Sequence, residues 1–172
     1  MHVIDCDTSH SESILAILND AIVNSTALYD YQPRTSEMML AWFEAKQRGN
    51  YPVLGVVSDS DDLMGFASFG PFRPWPAYKY TVEHSLYVAA PWRRQGVGAL
   101  LLRTAIERAS AQDYHVLIGG IDADNAGSIA LHERFGFECV ATMRQVGFKF
   151  GRWLDLRFYQ LILPTPATPV DG

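Results

Sequence analysis

The sequence predicts an α/β fold built around a mixed sheet, and three observations support this prediction. Strand-like and helix-like patterns alternate along the chain. Two short strands flank Asp59-Ser60-Asp61-Asp62, which has the turn composition of an antiparallel hairpin. A later strand–helix–strand unit requires a crossover between parallel strands. The chain has 172 residues, the length of one domain, which we place at residues 1–163.

The first half of the chain is predicted to run strand, helix, helix, strand, strand. A short strand covers 3–4, and a helix follows because its apolar residues have the spacing of one buried face. Those residues are Ile14, Ile17, Leu18, Ala21 and Ile22. A second helix over 36–47 has an apolar stripe of its own and ends at Gly49. Strands over 53–58 and 63–70 form the hairpin.

The second half continues the alternation and ends in a proline-rich tail. In chain order we predict a strand over 80–88, a helix over 96–111, a strand over 116–121, a helix over 126–135, and strands over 137–143 and 153–163. Beyond them Pro164, Pro166 and Pro169 cannot continue a strand ladder, so residues 164–172 are expected to form a flexible tail.

Composition excludes several classes of protein. Lys and Arg number 14 against 19 Asp and Glu, and a net charge of −5 disfavours a general nucleic-acid or anionic-membrane binder. Two cysteines are too few for a disulfide framework or a zinc site, and the five histidines show no paired ligand spacing, so no metal is predicted. No apolar run reaches transmembrane length, and the start lacks the features of a signal peptide. A cytoplasmic protein is expected.

The first informative segment is a turn with two glycines, Gly96 and Gly98, at a predicted helix start. Unpaired N–H groups there carry partial positive charge, the glycines allow close backbone approach, and Arg93 and Arg94 add cations. A pyrophosphate cradle fits this pattern, and so does a tight turn with a close helix contact. The full G-x-G-x-x-G pattern is missing because its third position is Leu101, and there is no P-loop.

The second informative segment is a short helix with clear ends. Asn125 is a natural N-cap, and Gly136 is a natural terminator. Ser128 and His132 are four residues apart and therefore share one helix face. As structure alone this is a well-capped helix with a packed histidine.

Together the two segments resemble the GNAT superfamily of N-acetyltransferases, which bind acetyl-coenzyme A at these two elements. The matching motifs are Arg93-x-x-Gly96-x-Gly98 and, about 27 residues later, Asn125-x-x-Ser128-x-x-x-His132-x-x-x-Gly136-Phe137. The resemblance implies a mixed, mostly antiparallel central sheet with a parallel crossover, flanked by helices on both faces.

Within that superfamily the chain resembles the phosphinothricin and methionine sulfoximine acetyltransferase branch. The matching segments are Tyr80 to Val88, Arg73-Pro74-Trp75, Gly147 to Leu156 and Asn19-Asp20-Ala21. The branch implies N-acetylation of a small amino acid with a tetrahedral phosphorus or sulfur side chain, usually by a homodimer. Other members of the superfamily acetylate protein amino groups or aminoglycosides.

The resemblance also implies which residues contact acetyl-coenzyme A. They are Leu86, Tyr87, Val88, Arg93, Arg94, Gln95, Gly96, Val97, Gly98, Ala99, Asn125 and Ser128. The Val88 N–H would polarise the thioester carbonyl, a role that one fixed donor can fill. Many relatives offer a tyrosine to protonate the departing thiolate. Here the corresponding residue is His132, as in the phosphinothricin branch, although a thiolate can also leave unprotonated.

Glu83 is the candidate general base. Acetylation of an ammonium group requires that it first lose a proton to an acceptor such as a carboxylate. Alternation in the 80–88 strand puts Thr81, Glu83, Ser85 and Tyr87 on one face and Val82, His84 and Leu86 on the other. A carboxylate within a buried strand indicates catalysis or a buried ion pair, with Arg73 or Lys149 as partner.

Substrate capture requires cations and hydroxyls, because a free amino acid presents a carboxylate and an oxygen-rich side chain. The predicted substrate residues are Arg73, Pro74, Trp75, Glu83, His84, Ser85 and Lys149, and the predicted aromatic walls are Phe72, Trp75, Phe148 and Phe150. Pattern alone makes His84 a core histidine, whereas the resemblance places its stretch against the substrate. Two alternative functions are a protein or peptide N-acetyltransferase, which needs an open groove, and a non-catalytic acyl-coenzyme A sensor, which needs only the cradle.

Overall fold

A computed structural model describes residues 1–171, which contain four α-helices and seven strands. The strands are β1 (His2–Asp5), β2 (Val53–Val57), β3 (Leu63–Pro71), β4 (Thr81–Val88), β5 (Val116–Asp122), β6 (Glu138–Lys149) and β7 (Arg152–Ile162). The helices are α1 (Ser11–Asn24), α2 (Ser36–Arg48), α3 (Val97–Ala111) and α4 (Ala126–Arg134). Every predicted strand and helix is present.

The seven strands have the order β1-β2-β3-β4-β5-β7-β6. Antiparallel pairs join β1 to β2, β2 to β3, β5 to β7 and β6 to β7. Only β4 and β5 pair in parallel among the described strand pairs, and α3 forms the crossover between them. The prediction of a mixed, mostly antiparallel sheet with a parallel crossover is confirmed.

Residue contacts divide the chain into two compact units. The first unit comprises 1–69 and 86–105, and the second comprises 70–85 and the chain from 106 onward. The first unit has two apolar clusters. One joins α1 and α2 to Val53 and Phe66, and the other packs Leu101 of α3 against β2 and β3. The five apolar residues predicted for the buried face of α1 are all buried.

The β6–β7 hairpin is longer than predicted. The expected end at 143 is wrong, because β6 continues to Lys149 and pairs with Arg152 across a short turn. Gly147 pairs with Leu154 inside the ladder, after a register shift that follows Met143. Gly147 therefore does not end β6: it follows a bulge, and the strand continues beyond it.

The proline-rich end makes hydrogen bonds to the preceding chain over its described part. Thr165 donates its hydroxyl to the Tyr114 carbonyl at 2.6 Å, and the Val170 N–H donates to the Tyr80 hydroxyl at 3.1 Å. These bonds connect Thr165 and Val170 to other residues of the second unit, and the flexibility expected of the tail from its composition stays a prediction. Gly172 lies outside the described residues.

Two negative findings apply to residues 1–171. None of their helices combines the length and apolar character needed to cross a bilayer. Nor do three or more histidine, cysteine, aspartate or glutamate side chains come together there in a way that could hold a metal ion.

Candidate active site

The alternation predicted for β4 is confirmed in the second unit. Val82 and His84 are buried, whereas Thr81, Glu83 and Ser85 are half-buried. Successive side chains of a strand point to opposite faces, so Glu83 and His84 lie on opposite sides of the sheet.

Glu83 has apolar neighbours and one nearby cation. A methyl group built on Gly120 would lie 3.3 Å from Glu83 Oε1, 3.7 Å from Leu156 and 3.8 Å from Phe158, so these groups share one face. Burial raises the pKa of the Glu83 carboxyl, and the Arg73 guanidinium partly opposes that increase. A carboxylate with a raised pKa in a partly open position is suited to accept a proton.

The loop 71–78 is braced by its aromatic side chains. The Arg73 guanidinium lies 4.3 Å from the centre of the Phe72 ring and donates to the Phe72 carbonyl at 3.0 Å. Phe72 in turn makes edge contacts with Tyr78 at 5.8 Å and with Phe158 at 6.4 Å between ring centres. The predicted substrate residues Arg73, Pro74 and Trp75 are exposed. This arrangement places a cation and aromatic rings near Glu83.

Lys149 is placed differently from a surface lysine. Only 4% of Lys149 is exposed, and its Nζ lies 5.1 Å from the centre of the Phe150 ring. Its neighbours Phe148 and Phe150 are 47% and 59% exposed. Both rings are therefore more open to solvent than Lys149, and their role as walls of a substrate pocket stays a prediction.

On the other face of β4, His84 and His132 form a buried imidazole pair. Their Nε2 atoms lie 2.9 Å apart, and the Nδ1 atom of His132 lies 2.7 Å from the Ser128 carbonyl. A carbonyl only accepts, so His132 Nδ1 must carry a proton. One further proton must lie between the two Nε2 atoms. A neutral pair has only these two protons, which leaves His84 Nδ1 as an acceptor, and that atom is buried without a partner.

Gly119 makes room for this pair. A methyl group at Gly119 would lie 2.9 Å from His84 Cε1, closer than real side chains approach. Burial lowers the pKa of His84 to about 3; the neighbouring His132 adds to this decrease and the Ile118 backbone partly opposes it. Burial also lowers the pKa of His132, against a smaller opposing contribution from the Ser128 backbone. His84 lies on the face opposite Glu83, and its contact with substrate stays a prediction. Its interpretation as a core histidine agrees with that place.

The buried pair predicts a loss of stability in acid. The folded pKa of His84 is lowered, whereas the unfolded value is about 6.5, so the unfolded chain binds more protons below that pH. The contribution of neutral His84 to the free energy of unfolding is complete above pH 6.5 and falls as the pH decreases toward 3. Between pH 7 and pH 5, His84 should account for at most about 2 kcal/mol of the lost unfolding free energy.

Urea unfolding of wild type and His84→Gln at pH 7 and pH 5 measures this contribution. The free energy of unfolding should change less between pH 7 and pH 5 in the variant than in wild type, whatever the variant's stability at pH 7. His2→Gln, at an exposed position, is the matched control and should keep the wild-type difference. An equal difference in wild type and His84→Gln would contradict the prediction.

In the first unit, the two-glycine turn has the geometry of an anion-binding backbone. Arg94 and Gly96 have positive φ angles of 62° and 87°, and α3 begins at Val97, one residue later than predicted. Left-handed residues in a turn direct successive N–H groups toward one side, where they attract anions. The first turn of α3, described throughout, has no acidic residue to oppose an anion.

The side chains before α3 hold this turn in place. Arg93 donates from Nε to the Val88 carbonyl at 3.1 Å and from Nη2 to an Asp20 carboxylate oxygen at 3.3 Å. Gln95 donates its side-chain amide to the Pro91 carbonyl at 2.9 Å. The head groups of Arg93 and Gln95 are therefore engaged by the protein itself, which leaves the backbone N–H groups of the turn as the candidate donors to an anion.

The other predicted cofactor residues lie at the end of β4 and at the start of α4. Leu86, Tyr87 and Val88 are half-buried, and Val88 ends the strand. The Asn125 side chain accepts from the Ser128 N–H at 3.1 Å, which confirms the predicted N-cap.

Comparison with known proteins identifies the family. The model of the Acetyltransferase (GNAT) family matches residues 16–137, more than half of the chain. The chain belongs to this family. The resemblance stated from the sequence motifs is confirmed.

Three GNAT relatives match most of the chain. L-methionine sulfoximine/L-methionine sulfone acetyltransferase of Pseudomonas paraeruginosa is 46% identical, with 96% of each chain covered. Phosphinothricin N-acetyltransferase of Streptomyces coelicolor is 34% identical, covering 84% of this chain and 85% of that protein. The crystal structure of a GNAT superfamily phosphinothricin acetyltransferase from Sinorhizobium meliloti in complex with AcCoA has a TM-score of 0.94 at 31% identity, covering 98% of this chain and 91% of that chain.

Sequence reasoning missed three residues of this acetyltransferase that bear on its site. Asp20 holds Arg93, although only the resemblance drew attention to its segment. Gly119 and Gly120 lie side by side within β5. Adjacent glycines in a strand are a signal of close approach by another group, and that signal was available in the sequence.

Proposed function

We propose that this acetyltransferase transfers the acetyl group of acetyl-coenzyme A to the amino group of a small amino acid. Methionine sulfoximine, methionine sulfone and phosphinothricin are the proposed acceptors, because relatives along most of the chain are named for them. The proposal depends on the position of Glu83. Its carboxylate is half-buried, has a raised pKa and lies next to the exposed Gly120. A sensor of acyl-coenzyme A would need the turn before α3 but not this carboxylate.

The backbone before α3 fits the pyrophosphate of acetyl-coenzyme A. At Gly96 a built methyl group would meet one atom, the Met1 Cε at 3.9 Å, and no backbone atom, so the protein does not crowd this glycine. We assign the diphosphate to the N–H groups of 94–99. Arg93 is proposed to support this contact by holding the turn, and Asn125 and Ser128 are proposed as further contacts of the cofactor. The thioester supplies the acetyl group, and the backbone of 86–88 would lie along the adjoining arm.

Glu83 begins the proposed reaction by taking a proton from the substrate ammonium, directly or through one water. The freed nitrogen then forms a bond to the acetyl carbon, and the negative charge that develops on the carbonyl oxygen is stabilised by the Val88 N–H. The carbon–sulfur bond breaks, and its electron pair leaves with the sulfur. The nitrogen gives its second proton to solvent water, which leaves the neutral amide and the coenzyme A thiolate. Transfer is direct, without an acetylated side chain.

His132 was predicted to protonate the departing thiolate. In the neutral pair one proton faces the Ser128 carbonyl and the other lies between the two rings. Donation by His132 would therefore require a third proton on the pair, which burial disfavours. We propose that the thiolate leaves unprotonated and that His132 supports the site through its hydrogen bonds. Protonation of the thiolate by His132 stays the alternative prediction.

Substrate recognition is assigned to the groups around Glu83. Arg73 is exposed near that carboxylate and can pair with the substrate carboxylate or its oxygen-rich side chain. Pro74, Trp75 and Ser85 complete the proposed substrate contacts. Lys149 is proposed as a second cation, although it is buried in its own strand.

An acetyl-coenzyme A consumption assay tests the function directly. The acceptors should include methionine sulfoximine, methionine sulfone, phosphinothricin, ordinary amino acids, a lysine peptide and an aminoglycoside. We expect turnover with the first three to exceed turnover with the peptide and the aminoglycoside. Preference for the peptide would instead support a protein acetyltransferase, and binding of acetyl-coenzyme A without any turnover would support the sensor.

We propose that the enzyme is a homodimer that forms through the β6–β7 hairpin. Strand β6 is an edge strand with almost all its residues exposed, and Trp153 of β7, which lies against Phe148, is 59% exposed. An exposed edge with large apolar side chains favours association with another chain.

Light scattering at micromolar concentration should report about twice the chain mass of 19.2 kDa. Trp153→Glu should shift the population toward monomer, whereas Leu40→Glu, a change at another exposed apolar residue on α2, should not. A wild-type mass of one chain would contradict the proposal.

Two further proposals concern the environment of the enzyme. Cys6 and Cys139 are free thiols, which agrees with the reducing cytoplasm. The net charge of −5 favours neither nucleic acid nor an anionic membrane as a partner.

A further inference from the structure

Gly120 is an exposed residue in the middle of a buried strand. In β5 the residues from Leu117 to Gly119 and the two after Gly120, Ile121 and Asp122, are buried. Glycine within a strand weakens it through backbone entropy and the loss of packing, so its presence here requires a reason.

The surroundings of Gly120 form a small recess with the glycine backbone as its floor. Gly120 pairs in register with Phe158 of β7, and a methyl group at Gly120 would be 3.8 Å from that ring and 3.7 Å from Leu156. The same methyl group would lie 3.3 Å from Glu83 Oε1. Phe158 also makes an edge contact with Phe72 of the loop 71–78, at 6.4 Å between ring centres. The recess therefore has one carboxylate and apolar walls.

The neighbouring glycine shows that protein packing does not account for Gly120. A methyl group at Gly119 would collide with the His84 ring at 2.9 Å, so that glycine serves the packing of the imidazole pair. At Gly120 the two apolar contacts would be at ordinary van der Waals distance. The Glu83 oxygen, at 3.3 Å, is the end of a flexible side chain and would have to move by only a few tenths of an ångström. The fold itself could therefore accept a small side chain at Gly120, and alanine would even reduce the entropy of the unfolded chain.

We propose that Gly120 is a specificity-determining residue, because its missing side chain leaves the space that the acceptor amine and its α-carbon occupy beside Glu83. This inference rests on the proposed function. A primary amine needs contact with the carboxylate that takes its proton, and the recess is the open space next to Glu83 Oε1. The apolar walls from Leu156 and Phe158 suit the carbon atoms next to that amine.

Gly120→Ala tests the proposal with the three tetrahedral amino acids as acceptors. We expect kcat/KM for the acceptor to fall about 100-fold, mainly through a higher KM, because the methyl group takes the acceptor's position. The Kd for acetyl-coenzyme A should stay within about twofold of wild type, and the melting temperature should not fall. Gly127→Ala is the matched control. A methyl group on Gly127 would have its nearest neighbour 3.9 Å away, so this variant should keep the wild-type KM.

Separate measurement of KM and kcat in Gly120→Ala distinguishes a blocked acceptor position from a displaced Glu83. A displaced Glu83 would lower kcat at unchanged KM, and that result would overturn the proposal. Wild-type kcat/KM in folded Gly120→Ala would also overturn it while leaving the proposed function intact. If wild type acetylates none of the amino acids, the proposed function fails and this inference fails with it.

Discussion

Replacing Glu83 by glutamine is expected to lower turnover about 10²–10⁴-fold, the usual contribution of a general base. Glutamine keeps the shape of the side chain but cannot take a proton from the substrate ammonium. Acetyl-coenzyme A should bind as it does to wild type, because the turn before α3 is untouched. Steady-state kinetics and calorimetry on the same preparation measure both quantities.

The pH dependence of the wild-type enzyme provides a second test of Glu83. Burial raises the pKa of this carboxyl, so kcat/KM should rise with pH along a limb above the ordinary glutamate value of 4.5. That limb should disappear in Glu83→Gln. Glu83→Asp keeps a carboxylate on a shorter stem and should retain the limb with intermediate turnover.

The competing interpretation is a structural ion pair between Glu83 and Arg73. Loss of one member of a fully buried pair would cost about 3–5 kcal/mol of stability. Arg73 is exposed, however, and the raised pKa of Glu83 means that folding disfavours its ionised form at neutral pH. Glu83→Gln should therefore melt at or above the wild-type temperature. Full turnover in such a folded variant would remove Glu83 from the mechanism.

Patterns that lie within a few residues of each other were enough to predict the elements. The buried face of α1 follows from apolar spacing, and the opposite placement of Glu83 and His84 follows from strand alternation. The length of β6 could not be predicted, because a bulge after Met143 and a glycine within the ladder resemble a strand end.

The site could be predicted only in part from the sequence, because it is built from contacts between residues that are far apart in the chain and local patterns do not show such contacts. His84 and His132 are 48 residues apart, and Asp20 and Arg93 are 73 residues apart. The turn before α3 was predictable because its chemistry is contained in consecutive residues. The N–H direction there comes from positive φ at Gly96 and also at Arg94, which no sequence rule assigned to an arginine.

Gly98→Val is expected to weaken acetyl-coenzyme A binding by about 100-fold without unfolding the protein. Gly98 lies in the first turn of α3, where the N–H groups have no acceptor within the helix. A branched side chain there would cover these N–H groups and keep a diphosphate from approaching them. Valine has a better helix propensity than glycine, so α3 itself should not suffer.

An acetyl donor that lacks a diphosphate makes this test specific to the turn before α3. Acetyl-pantetheine carries the same thioester but no pyrophosphate, so Gly98→Val should leave its kcat/KM nearly unchanged while kcat/KM for acetyl-coenzyme A falls. Ala111→Val, at the exposed last residue of the same helix, is the control and should bind acetyl-coenzyme A like wild type. Equal losses with both donors would show that the substitution disturbs the thioester position and not the diphosphate. Unchanged affinity in a folded Gly98→Val protein would place the diphosphate elsewhere, because N–H groups shielded by valine could no longer bind it.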